Sequence, residues 1–277
     1  MVTRASFLAS VLTAELVARV ARALAAEGIE VMPLKGALLQ RWVYPDPAER
    51  EVSDVDVLVQ PGAFRRAEAA LQRAGFRWLR SEGSDWQSVW LHPEVPIEID
   101  LHRRLARTRR HRLTPEALFE AGHRDATLFG VPVVLPSPAD LYAHLVAHAS
   151  ATLLLDGVLH RPRDLSVTAE QLGLGARPLA AHLARRGVGR HARLVLPLVR
   201  DDPFAAQVLH RLPADPLGAV VARAARRAVE RAPSGSPRRR IPGVLLNPTL
   251  AEAGRAVAEG AWQRARAARR AGWFAGR

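Results

Sequence analysis

The sequence contains no cysteine, and its only lysine, Lys35, stands among 39 arginines. Without thiols the chain has no disulfides, no thiolate metal site and no cysteine nucleophile. No apolar run approaches the roughly 18–20 residues that span a bilayer. The first 28 residues carry an early arginine and several small side chains, but Glu15, Arg19 and Arg22 interrupt any signal-peptide core. An amphipathic helix and a cytoplasmic protein are therefore expected. Aromatic residues are scarce at 5%, and only Trp262, Trp273 and Phe274 interleave with the arginines near the C-terminus. Base-specific readout by stacking is not supported there.

What is present describes a folded chain with a real core: 277 residues, 48% hydrophobic and 24% charged. The net charge of +13 is unevenly placed. Residues 220–277 hold 13 arginines against Glu230, Glu252 and Glu259, and residues 102–112 hold six arginines and no acid. Both stretches are candidate RNA contacts through phosphate. A GC-rich genome accounts for arginine abundance but not for its clustering.

Apolar spacing predicts an amphipathic helix over 7–27, with Leu8, Leu12, Leu16, Val20 and Leu24 about one turn apart and Gly28 after it. A short strand precedes Lys35-Gly36, and a helix follows until Pro45 and Pro47. Strict alternation marks 51–59 as a strand. A helix runs from Pro61 to Gly75, strands near 76–80, 87–92 and 95–102 complete a mixed sheet, and 126–136 reads as a hairpin turning near Gly130. "SPAD" at 137–140 carries several helix-start signals, and helical patterns continue to about residue 230. The expected division is a catalytic α/β domain over 1–136, a helical domain over 137–231, and a basic segment over 232–277. That last segment comprises a linker at 232–243 and a helix at 249–272.

The chemistry-bearing pattern begins at Asp54 and Asp56, two carboxylates projecting side by side from one strand face. Their repulsion is relieved when a cation sits between them, and hard oxygen ligands point to magnesium or manganese bound with substrate phosphates. Nineteen residues earlier lies strand–Lys35-Gly36–helix, a turn where phosphate can approach backbone N–H groups. Downstream, "IEIDLH" places Glu98 and Asp100 on one face of another strand. Three carboxylates beside such a turn suit a two-metal displacement at phosphorus.

These residues resemble the DNA-polymerase-β-type nucleotidyltransferase superfamily, with its glycine turn, D-x-D strand and third downstream acid. The segment from "PLKGALLQ" through "REVSDVDVLV" is similar to bacterial uncharacterised nucleotidyltransferases with "LKG" and "R-x-x-x-DIDLLV" segments. The resemblance covers roughly residues 10–200 and is most specific at 34–59. It implies a nucleotidyltransferase-type mixed sheet with flanking helices, followed by a helical domain. It further implies transfer of a nucleoside monophosphate from a nucleoside triphosphate to an acceptor hydroxyl or phosphate, with release of pyrophosphate. Asp54, Asp56 and Asp100 would be the metal-binding and catalytic carboxylates, with Asp100 helping to deprotonate the acceptor. Lys35, Gly36, Ser53 and Arg50 would serve the nucleotide. The superfamily's turn has a serine or second glycine after its first glycine, whereas Ala37 stands here. Lys35 would supply the missing positive group.

The acceptor, whether small molecule, peptide or RNA, is left open. Two alternatives are a toxin-like nucleotidyltransferase acting on tRNA ends and a catalytically silent nucleotide-binding scaffold. His102 follows Asp100 on the same strand face, where a structural role is favoured over contact with the acceptor. Trp86 and Trp90 fall near the expected site, with core or hairpin packing favoured over stacking on a base, and Asp164 reads as a helix cap or a nucleotide contact. His144 and His148 have i, i+4 spacing without a third ligand, which favours a packed pair over zinc.

Overall fold

The computed structural model describes residues 3–81, 86–106, 111–199 and 201–233, together with 245–247, 249, 251, 252, 254, 257 and 258. Most of the linker expected at 232–243, most of the helix expected at 249–272, and residues 107–110 of the arginine cluster lie outside the described residues. The chain divides into two units, one formed by Met1–Arg107 with Thr114–Ser137 and the other by Thr108–Leu113 with Pro138–Arg277.

In the first unit, α1 (Arg4–Ala25) leads to β1 (Met32–Pro33), α2 (Lys35–Trp42), β2 (Asp54–Leu58) and α3 (Phe64–Arg73). It continues with β3 (Arg77–Ser81), β4 (Gln87–His92), β5 (Val95–His102), α4 (Pro115–Ala121), β6 (His123–Asp125) and β7 (Val133–Leu135). Helix α1 starts earlier than its apolar spacing indicates, because the Thr3 hydroxyl accepts from the Ser6 N–H at 3.1 Å and caps it. Gly28, with φ of +65°, adopts the left-handed conformation that ends the segment.

The main sheet has the order β1-β2-β5-β4-β3, with β2 parallel to β5 and the other neighbours antiparallel. Period-two alternation gives it two unlike faces. On one face Val55, Val57, Ile99, Leu101 and Trp90 are all buried. Helix α3 lies on this side, since Arg65, Glu68 and Gln72 line a groove of about 750 Å³ together with Trp78 and Trp90. Helix α1 touches α3, β2 and β5 and completes the cover. The core of this unit is therefore the layer between α1, α3 and the apolar face, which leaves the opposite face for polar chemistry.

The hairpin differs from its expected form. Its strands are β6 and β7, and residues 126–132 form the connection, so the first strand ends before Thr127 rather than including it. The reason is local. The Asp125 carboxylate accepts from the backbone N–H groups of Thr127 and Leu128 at 2.8 and 2.9 Å, which folds the chain into a turn. The Val134 N–H donates to the Val31 carbonyl at 2.9 Å, tying this hairpin to the segment entering β1.

The second unit contains α5 (Pro138–Asp156), α6 (Arg163–Gln171), α7 (Ala176–Arg185), α8 (Gly189–Val195), α9 (Pro203–Arg211) and α10 (Pro216–Arg231). Leu153, Leu154, Leu194, Val221, Ala222 and Ala225 form one apolar cluster among α5, α8 and α10. Asp140, in the first turn of α5, is fully buried. It accepts two hydrogen bonds from the Arg186 guanidinium, at 2.7 and 2.8 Å, and one from His182 Nε2 at 2.7 Å. His144 and His148 pack ring to ring at 6.3 Å, and no third metal-ligating group joins them among the described residues.

Removing one partner of a buried ion pair leaves an uncompensated charge. Asp140→Ala is therefore expected to lower stability by about 3–5 kcal/mol. Arg186→Lys, which loses the two-pronged geometry, should lose less. Chemical denaturation of the three proteins checks the order.

Candidate active site

The polar face of the sheet is assembled by strand register. The parallel pairing of β2 with β5 sets Asp54 opposite Glu98 and Asp56 opposite Asp100. His102, opposite Leu58, follows two residues later on the same face. On the other side of β5, β4 places Gln87 opposite His102 and Val89 opposite Asp100. At the edge, the Arg80 guanidinium from β3 donates to both oxygens of Glu98, at 3.0 and 2.7 Å.

Asp56 is the centre of this face. It is only 3% exposed, and its Oδ1 accepts from Lys35 Nζ at 2.5 Å and from His102 Nε2 at 2.7 Å. Burial by itself pushes the carboxyl up. The Lys35 ammonium and the His102 hydrogen bond outweigh it and hold Asp56 well below the usual carboxylate range. Asp100 behaves in the opposite way. Burial, with help from the charges of Asp56 and Asp54, pushes it up to about 6 against the pull of His102. Its Oδ2 accepts from the Gln87 side-chain amide at 2.6 Å.

Lys35 reaches Asp56 through two backbone features. The Leu34 N–H donates to the Asp56 carbonyl at 2.9 Å, which locks the end of β1 beside β2. Lys35 then has φ of +43°, in the left-handed region that a side chain enters at a cost. Gly36 is needed beside it for close packing, because a Cβ there would lie 2.9 Å from Val52 Cγ2. Among the nucleotide candidates, Ser53 Oγ donates to Asp54 Oδ1 at 2.8 Å. The Arg50 guanidinium donates to the Glu51 carbonyl, and its own carbonyl accepts from Gln40 Nε2 at 2.5 Å.

The ligand atoms of Asp56, Asp100 and His102 lie within 4.8 Å of one another, so these three residues could hold a metal ion. The donor set fits a divalent cation: two carboxylates and one imidazole, all from adjacent parallel strands. Among the described residues, Asp56 Oδ2 and Asp100 Oδ1 accept no hydrogen bond, and buried His102 Nδ1 has no partner. Asp54 projects from the same face but stands outside this close group. The sequence pattern favours a structural His102 and gives no sign of Gln87. Alternation placed His102 beside Asp100, whereas Gln87 depends on the β4–β5 register and its irregularity at Leu91/His92.

The two tryptophans separate. The Trp86 ring lies 5.5 Å from that of His102, on the active face. Trp90 is paired with Ile99 and faces the opposite side, where its indole N–H donates to Ser88. Core packing, the reading the sequence favours for both tryptophans, holds for Trp90. Trp86 precedes β4, which begins at Gln87, so the alternation along that strand does not extend to it.

No helix among the described residues is long and apolar enough to cross a membrane. No curated protein matches the chain in sequence. Solved structures similar to it include the antibiotic-resistance factor ANT(2'')-Ia, at 14% identity over 62% of this chain and 89% of that one, with a TM-score of 0.45. An antigenic nucleotidyltransferase-like protein from Paracoccidioides brasiliensis is similar at 15% identity over 76% and 94% of the two chains, with a TM-score of 0.41. The model of a family described as uncharacterised nucleotidyltransferase matches residues 3–201, which takes in the sheet, the Lys35-Gly36 turn and the carboxylate face. The chain belongs to that family and is a nucleotidyltransferase.

Proposed function

We propose that the protein is a metal-dependent nucleotidyltransferase that moves a nucleoside monophosphate from a nucleoside triphosphate to an acceptor hydroxyl or phosphate. The observation that supports this best is the register of Asp56 against Asp100 on parallel strands, with His102 beside both. Asp56, Asp100 and His102 would hold magnesium or manganese, with Asp54 as a further carboxylate on the same face. When bound, the ion neutralises phosphate charge and favours ionisation of the acceptor.

The protein's own residues have separate tasks. The acceptor oxygen forms a bond to the α-phosphorus, and the bond from that phosphorus to the bridging oxygen breaks, releasing pyrophosphate with the electron pair. The acceptor proton passes to Asp100, whose orientation is kept by the Gln87 amide. Lys35, Gly36, Ser53 and Arg50 would serve the nucleotide. A compact ammonium on a flexible stem suits Lys35 for close approach to phosphate. The arginines of 102–112 and 220–277 make RNA one acceptor class to test, beside small molecules and peptides.

The reading is tested by supplying each labelled nucleoside triphosphate with total RNA, cell metabolites and the protein itself. Wild type should label one acceptor in the presence of magnesium, and Asp56→Asn should label none. Lys35→Ala should lower transfer by on the order of a hundredfold, the usual loss for one charge-stabilising group. Labelling that persists unchanged in both variants rejects the assignment.

Asp100 carries a separate pH prediction. Its proton is held in the folded protein up to about pH 6, above the ordinary carboxylate value of roughly 4. Between those values the unfolded chain releases the proton first, so ionised Asp100 opposes folding at neutral pH and not in acid. Asp100→Asn should therefore abolish transfer and raise stability at pH 7.5 by on the order of 1 kcal/mol after solvent screening, or roughly 2–4 °C in Tm. The gain should disappear near pH 4. Melting curves across this range check it, and a pH-independent difference rejects it.

A further inference from the structure

We propose that the Lys35 ammonium is the resident counter-ion of Asp56 and that a divalent cation binds by competing with it. The inference rests on the reading above in which Asp56 is a metal ligand, and it assigns Lys35 a role before any nucleotide is present.

The geometry sets the two charges against each other. Lys35 Nζ is 2.5 Å from Asp56 Oδ1, and the lysine side chain is only 18% exposed. That same oxygen accepts from His102 Nε2 at 2.7 Å. An ion ligated by this oxygen at about 2.1 Å lies within roughly 4.6 Å of the ammonium, even on its far side. A divalent charge and an ammonium that close, in a site where Asp56 is 3% exposed, repel strongly with little water to screen them. An ion on the other oxygen, Oδ2, meets the same ammonium across the same buried carboxylate, so Lys35 opposes ion binding at either oxygen and the ion binds best when the ammonium turns aside.

The reason for such an arrangement follows from burial. Without an ion, Asp56 sits beside Asp100 on adjacent strands, with Asp54 on the same face. A buried carboxylate without a counter-charge is strongly unfavourable. Lys35 supplies that charge from within the chain, so the site is assembled while empty. Its unusual backbone, with φ of +43° at the first residue of α2, accompanies a side chain turned back onto β2. When the ion takes Asp56, the ammonium is released at the first residue of α2. A four-carbon stem then allows it to turn to the triphosphate without moving the helix. An arginine has a fixed planar fork that would grip Asp56 with two bonds and release it less readily. This gives a physical reason for one lysine in a chain that otherwise uses arginine.

The inference predicts the effect of removing the competitor. Manganese ion alone, without nucleotide, is titrated into wild type, Lys35→Met, Lys35→Arg and Asp56→Asn, with bound ion read by electron paramagnetic resonance. Lys35→Met should bind manganese at least tenfold more tightly than wild type, Lys35→Arg no more tightly than wild type, and Asp56→Asn should not bind at this site. Thermal melting supplies a second readout, since manganese should raise the Tm of Lys35→Met more than that of wild type. Should Lys35→Met fold only with manganese present, the ion has taken over the lysine's charge and the inference holds. Should it not fold at all, Lys35→Gln reports the same comparison. Equal affinity in wild type and the neutral variants, with Asp56→Asn still abolishing binding, overturns the competition while the metal reading stands. Failure of every variant to bind manganese overturns both.

Discussion

The parallel pairing of β2 with β5 is the constraint on which this protein's chemistry depends. It sets Asp56 against Asp100 and carries His102 and Glu98 onto the same face. A one-residue slip would bring Val55 and Val57 to that face and bury the acids under α1 and α3. The apolar face resists such a slip, because Val55, Val57, Ile99, Leu101 and Trp90 are buried there together. Packing on one side of the sheet thus holds the register of the acids on the other.

That register creates an electrostatic problem which the surrounding residues divide between them. Asp56 is kept ionised by Lys35 and His102, while Asp100, with the neutral amide of Gln87 as its donor, is pushed up to about 6. Two carboxylates on adjacent strands therefore have different affinities for a proton, and the difference arises from which neighbour carries charge. Glu98 is taken up separately by Arg80 at the sheet edge. The turn before α2 serves the same end, since Gly36 allows close packing on Val52 and the left-handed Lys35 sends its ammonium to Asp56.

The second unit uses the same physics for a structural purpose. Asp140 marks the start of α5 in the sequence, and in the fold it is buried under Arg186 and His182 from beyond the next helix. A capping signal and a buried ion network coincide in one residue, so a helix-start motif read locally carries a long-range contact as well.

Local chemistry alone determined much of this protein. Alternation identified β2 and β5 and put Asp54 with Asp56 and Asp100 with His102, because side-chain direction along a strand depends only on the backbone. Gly28 and Gly75 marked chain reversals, both with positive φ, because only local backbone freedom is involved. What required tertiary structure was every relation between strands. The partner of Lys35, the Gln87–Asp100 hydrogen bond and the placement of Trp86 against His102 all depend on how neighbouring strands and turns meet. The early end of β6 at Asp125 likewise came from a side-chain-to-backbone turn that competes with the ladder. The sequence names the charged groups, but their energies depend on distance and burial, which exist only once the sheet has formed.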